Sequence, residues 1–179
     1  MRGRHRERSG AIRRLAPIIA LPALLALGCG SSPGLDSAPP RVAGLPLHHE
    51  VSGDRALDAV SQFYGDVSYV VGGWTAHYSD DPSLILYVAT TGGPAAASDL
   101  VTKTVDRVAA GLTPYRDPSL LSLDAGSVYR MTGQEQIHYL FRLGADVVWL
   151  SADPEVASTA LSDLLGVADA VLGTEEPTG

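Results

Sequence analysis

Residues 128–151 read Val-Tyr-Arg-Met-Thr-Gly-Gln-Glu-Gln-Ile-His-Tyr-Leu-Phe-Arg-Leu-Gly-Ala-Asp-Val-Val-Trp-Leu-Ser. Apolar residues alternate, and the alternation is broken twice, at Gly133-Gln134 and Gly144-Ala145. A period of two predicts strands, and short glycine-containing breaks predict hairpins. Three strands follow: Val128–Met131, Gln136–Leu143 and Val147–Ser151. With two-residue turns, Ile137, Tyr139, Phe141, Val148 and Leu150 fall on one face, which reads as core. His138, Leu140, Arg142, Val147 and Trp149 fall on the other.

Upstream, Leu57, Val60 and Tyr64 recur at helical spacing, which predicts a helix over 54–64, capped by Ser52 or Asp54 and ended by Gly65. Val67, Tyr69 and Val71 then alternate, as do Trp74, Ala76 and Tyr78, but the parity shifts across Gly72-Gly73. A β-bulge there would return both sets to one face. Asp80-Asp81-Pro82 makes a turn into an apolar strand over 84–89. Pro94 opens a helix over about 95–110, and Gly111 follows it. Residues 112–125 contain Pro114 and Pro118 with no clear period, and read as loop. Asp153-Pro154 starts a last helix as cap and first residue.

The predicted order is α-β-β-α-β-β-β-α. It describes a single α+β domain, with a mostly antiparallel sheet of about five strands and helices packed on one face.

The chain begins differently. Arg2, Arg4, Arg6, Arg8, Arg13 and Arg14 precede the 14-residue run Leu15–Gly28, which Cys29 follows. A spanning helix needs about 20 apolar residues, so the run fits an export signal better. Leu25-Ala26-Leu27-Gly28-Cys29 resembles the lipobox of bacterial lipoproteins. That resemblance implies cleavage after residue 28 and lipid on Cys29, the sole cysteine of the 179 residues. It also implies a place in the cell envelope, on the periplasmic face of the outer membrane in a two-membrane organism.

The division expected is a signal over 1–28, a lipidated cysteine with a flexible Ser/Pro/Gly linker over 29–46, a globular domain over 47–172 and a disordered tail over 173–179. The linker would stand the domain off by roughly 20–50 Å. Cleavage removes 6 of 13 basic and 1 of 20 acidic residues, which leaves 7 and 19 and a net charge of −12. A surface that acidic repels nucleic acid.

Sites of chemistry are sparse. The sequence contains no HExxH, no Cys/His cluster, no GxSxG and no SxxK. Gly92-Gly93 lacks the lysine and spacing of a phosphate loop. Neither a cofactor nor a metal is expected, and no catalytic residue is assigned. The candidate binding patch is His138, Leu140, Arg142 and Trp149, because Trp and Arg are enriched at interface hot spots. The alternative is that a segment such as 112–125, or the tail, covers Trp149. The functional expectation is a non-enzymatic, membrane-tethered envelope module that binds a protein or ligand. The alternative is a small hydrolase or transferase with a His/Asp site.

Overall fold

The computed structural model describes residues 34–65, 68–123 and 125–166. Cys29, the rest of the signal-like start and the 173–179 tail lie outside the described residues. The elements are β1 (Arg41–Val42), β2 (Leu45–Pro46), β3 (His49–Ser52), α1 (Asp54–Tyr64), β4 (Val70–Asp80), β5 (Ser83–Thr91), α2 (Pro94–Ala109), β6 (Arg116–Leu123), β7 (Gly126–Gly133), β8 (Gln136–Leu143), β9 (Asp146–Ala152) and α3 (Pro154–Leu165). Seven strands form one antiparallel sheet in the order β3-β4-β5-β9-β8-β7-β6, and β1 pairs with β2 in a small ribbon.

This mostly-sheet fold overturns the expected five-stranded sheet and its element order. Two strands account for the difference. β6 occupies the segment read as loop, and Pro118 and a register shift between Arg116 and Ser119 hide its alternation. β3 is a four-residue, mostly exposed edge strand with little apolar signal. Edge strands tolerate proline and polar residues because one side makes no ladder.

Helices also cover both faces, not one. α1 and α2 contribute Val60, Tyr64, Ala97, Leu100, Val101 and Val108 to a core with Ala89, Met131, Leu140, Val147 and Trp149. α3 places Ala157, Ala160 and Leu161 on the opposite core with Trp74, Tyr78, Leu84, Leu86, Phe141, Val148 and Leu150. Two covered faces leave no exposed position on β9, the middle strand. All seven residues of β9 are buried. The near-continuous apolar run Val147-Val148-Trp149-Leu150 is the sequence signature of such a strand.

The second core is closed by residues 34–47, of which 34–46 carry a linker-like composition. Val42 is 1% exposed, and Leu35, Leu45 and Leu47 pack beside it. The Leu35 amide donates to Asp146 (2.7 Å), the Ala43 amide to Asp163 (2.7 Å), the Trp74 indole N–H to the Leu35 carbonyl (3.0 Å) and the Tyr78 hydroxyl to the Pro39 carbonyl (2.9 Å). These residues form a strap bound to the sheet, so the described fold begins at 34.

Caps differ from expectation as well. α1 starts after Gly53 with no side-chain cap. Asp153 precedes α3 but spends its carboxylate elsewhere, accepting from the Ser83 amide (2.7 Å) and from Gln136 (3.3 Å). The parity shift at Gly72-Gly73 is a bulge between Val70 and Gly72. It does not bring the first apolar set to the core: Tyr69 lies in the turn before β4 and is 36% exposed, Val71 projects 72% exposed, and Val67 lies outside the described residues, whereas Trp74, Ala76 and Tyr78 are buried. Among the described residues no helix is long and apolar enough to cross a membrane.

Candidate functional site

The β8–β9 register places Leu140 opposite Trp149 and Arg142 opposite Val147, so the four candidate residues share a face as their parity requires. Their exposure does not fit a binding patch. Trp149 and Leu140 are 0% exposed and His138 is 1%, while Arg142 alone is exposed. The patch is corrected to core, because α1 and the start of β6 lie over it. Around the indole, ring centroids stand at 5.1 Å for Phe63, 4.7 Å for Tyr115 and 6.4 Å for Tyr64. Tyr115 comes from the 112–125 segment and also meets the His138 ring edge-on at 4.6 Å. Gly133 makes room for this approach, since a Cβ there would lie 2.9 Å from Tyr115 Cδ1.

A polar chain runs through this apolar cluster. The Gly133 carbonyl can only accept, so His138 Nε2 carries the proton and donates to it (3.0 Å). Nδ1 is then the acceptor, and the Ser151 hydroxyl donates to it at 2.9 Å. The Trp149 indole N–H is shared between Ser151 Oγ (3.2 Å) and His138 Nδ1 (3.3 Å). Each polar atom has a partner, which is the condition for burying such groups at tolerable cost.

The Ser151–His138 contact is the geometry of a nucleophile and its base. Both groups are buried: Ser151 is 4% and His138 1% exposed, and Tyr115 packs against the His138 ring. Burial holds the imidazole below its ordinary pKa, and the Gly133 bond opposes that shift. The protonated imidazole is therefore better tolerated in the unfolded chain. The corresponding stability is complete above the unfolded pKa of about 6.5 and declines as pH falls below it. Urea unfolding between about pH 7 and pH 5 should show this decline, and His138→Gln should flatten it.

The other described histidines lie at the sheet edge. His49 is registered opposite His77, and half-buried His77 reaches exposed Asp80 through Nε2 at 3.1 Å. Among the described residues no group of three His, Cys, Asp or Glu side chains could hold a metal.

An open groove that sequence reasoning missed lies between the end of α2 and the start of β6. Its volume is about 700 Å³, and Val108, Gly111, Pro114, Tyr115, Arg116 and Asp117 line it. Arg116 and Asp117 are exposed neighbours of opposite charge. Asp117 has φ +54°, a left-handed conformation that Asp tolerates better than most residues. Its position in the register shift between Arg116 and Ser119 is a bulge that turns these side chains to the groove's mouth. Burial, and Tyr87 nearby, push the Tyr115 phenol up to about 12, so it lines the groove as a neutral group. No sequence signal announces this site beyond the two prolines. Comparison with known proteins finds no match to a family model, a curated protein or a solved structure.

Proposed function

We propose that the chain is a lipid-anchored envelope protein that binds a partner segment in the groove at Tyr115–Asp117. The anchoring half rests on the Arg-rich start, the short apolar run and the sole cysteine after Gly28. The binding half rests on one observation, the bulge that presents Arg116 and Asp117 beside an apolar wall formed by Val108, Pro114 and Tyr115. Its volume falls within the range of small-ligand and side-chain pockets, about 300–1,000 Å³. A guanidinium supplies directed donors for a carboxylate or carbonyl, and the adjacent Asp selects against a purely anionic surface.

A hydrolase reading has the Ser151–His138 contact in its favour. It requires the buried pair to open to substrate, and Tyr115, which packs on the His138 ring, is itself 7% exposed.

The test is photocrosslinking in cells, with a photoreactive residue at Arg116 and a control at exposed Asp58, alongside radioactive palmitate labelling. The expected result is label on the wild type, no label on Cys29→Ala, and a discrete adduct from position 116 but not from 58. Absence of label refutes the anchor. Equal crosslinking at the two positions refutes the groove. Ester hydrolysis abolished by Ser151→Ala would establish the hydrolase instead.

A further inference from the structure

The ladder fixes which loops share an end of the sheet. Val70 pairs with Thr91, Thr90 with Asp146, Leu143 with Asp146 and Leu123 with Gly126. The start of β4, the end of β5, the β8–β9 turn and the β6–β7 turn therefore lie together. The strap arrives at the same end. Leu35 donates its amide to Asp146, and Gly34 abuts the Asp146 carboxylate and the Leu143 carbonyl. Only residues 30–33 separate Gly34 from Cys29. Five Cα–Cα steps span at most about 19 Å. A lipid on Cys29 would then hold this end of the sheet close to the bilayer surface, not 20–50 Å away.

We propose that this end of the sheet docks on the lipid surface through Val71, Tyr69 and Arg142. The proposal rests on the anchor reading above. Val71 is thrown outward by its bulge, 72% exposed, and Tyr69 is 36% exposed beside it. Lys103 lies over the Tyr69 ring at 4.0 Å and donates to its hydroxyl at 2.6 Å. An aromatic ring with a polar tip and a cation suits the headgroup boundary. Arg142, exposed, donates to the Gly144 carbonyl (3.1 Å) at the β8–β9 turn. It is three strand spacings from Val71, about 14 Å.

The described turn residues here, Thr91-Gly92-Gly93, Gly144-Ala145 and Ala125-Gly126, carry no charge; Asp146 is 5% exposed and accepts from Leu35, Asp36 of the strap is exposed, and Asp66 and Asp124 lie outside the described residues. The opposite end is acidic. Asp80 and Asp81 sit in the β4–β5 turn, Glu135 in the β7–β8 turn, and Asp153 and Glu155 where β9 meets α3. An anionic leaflet repels that end and leaves the Arg116 groove, which lies there, facing outward.

The test uses lipidated full-length protein, purified from its membranes and placed in vesicles of phosphatidylethanolamine and phosphatidylglycerol. The native cysteine is blocked by lipid, so Val71→Cys and Glu135→Cys each take one fluorophore. Brominated lipids should quench the label at 71 several-fold more than at 135, and Tyr69→Ala with Arg142→Glu should narrow the difference. Equal quenching on a chain whose Cys29 lipid is verified by mass spectrometry overturns the docking and leaves the anchor standing. A chain without that lipid overturns both.

Discussion

Replacing Trp149 with alanine is expected to lower folding stability by about 3–5 kcal/mol, with a fall in melting temperature on the order of 10–20 °C. The indole is fully buried between Phe63, Tyr64 and Tyr115. Its removal opens a cavity that three rings from two separate segments cannot fill without leaving their own contacts. It also strips the donor from Ser151 Oγ, so the loss belongs at the upper part of the range. Trp149→Phe separates the contributions: the ring volume is largely kept and the N–H lost, for a cost of about 1–3 kcal/mol. Arg142→Glu, on the same face but exposed, should stay within about 0.5 kcal/mol. Urea unfolding of the three variants checks the order. A Trp149→Ala protein of wild-type stability would mean that the indole faces water and that the face is a surface after all.

That face shows what a sequence can and cannot reveal. The parity of residues 136–151 was legible, because a strand has only two faces and each turn resets the count in a known way. Tyr139, Phe141, Val148 and Leu150 do share one core. What covers the second face was not legible. His138 and Arg142 gave it a half-polar look, yet its lid comes from α1, α2 and Tyr115, elements remote from it in sequence. His138 is polar and buried because Gly133 and Ser151 satisfy it, and that satisfaction depends on three-dimensional register. The groove was illegible for the opposite reason: it is made by a bulge, and Asp-Pro within a weakly apolar run reads as loop. The helix starts and stops are legible where a local signal marks them: Gly65 ends α1, and Pro94 and Pro154 open α2 and α3.

Removing residues 34–47 is expected to lower the melting temperature steeply, whereas a true linker could be removed with no change. Stability of a domain is about 5–15 kcal/mol in total. The strap supplies Val42, Leu35, Leu45 and Leu47 to the core and accepts from Trp74 and Tyr78, whose rings it shields. Full burial of a side chain such as Val42 contributes about 1.5–3 kcal/mol, the three half-buried leucines each add a part of that, and the deletion opens an apolar sheet face to water.

A single substitution makes the point without shortening the chain. Val42→Asp places a carboxylate at a 1% exposed site with an apolar surround, and an unpaired buried charge costs about 3–5 kcal/mol. The strap escapes that cost by peeling off the sheet. With Cys29 lipidated as proposed, peeling lengthens the stretch between it and the first sheet-bound residue from 30–33 to 30–47, a reach of up to about 60 Å. In Val42→Asp, dye binding to the exposed sheet face should therefore rise. In vesicles the quenching of a label at position 71 should fall toward that at 135. Wild-type melting of the truncated chain would return residues 34–47 to the linker their composition suggests.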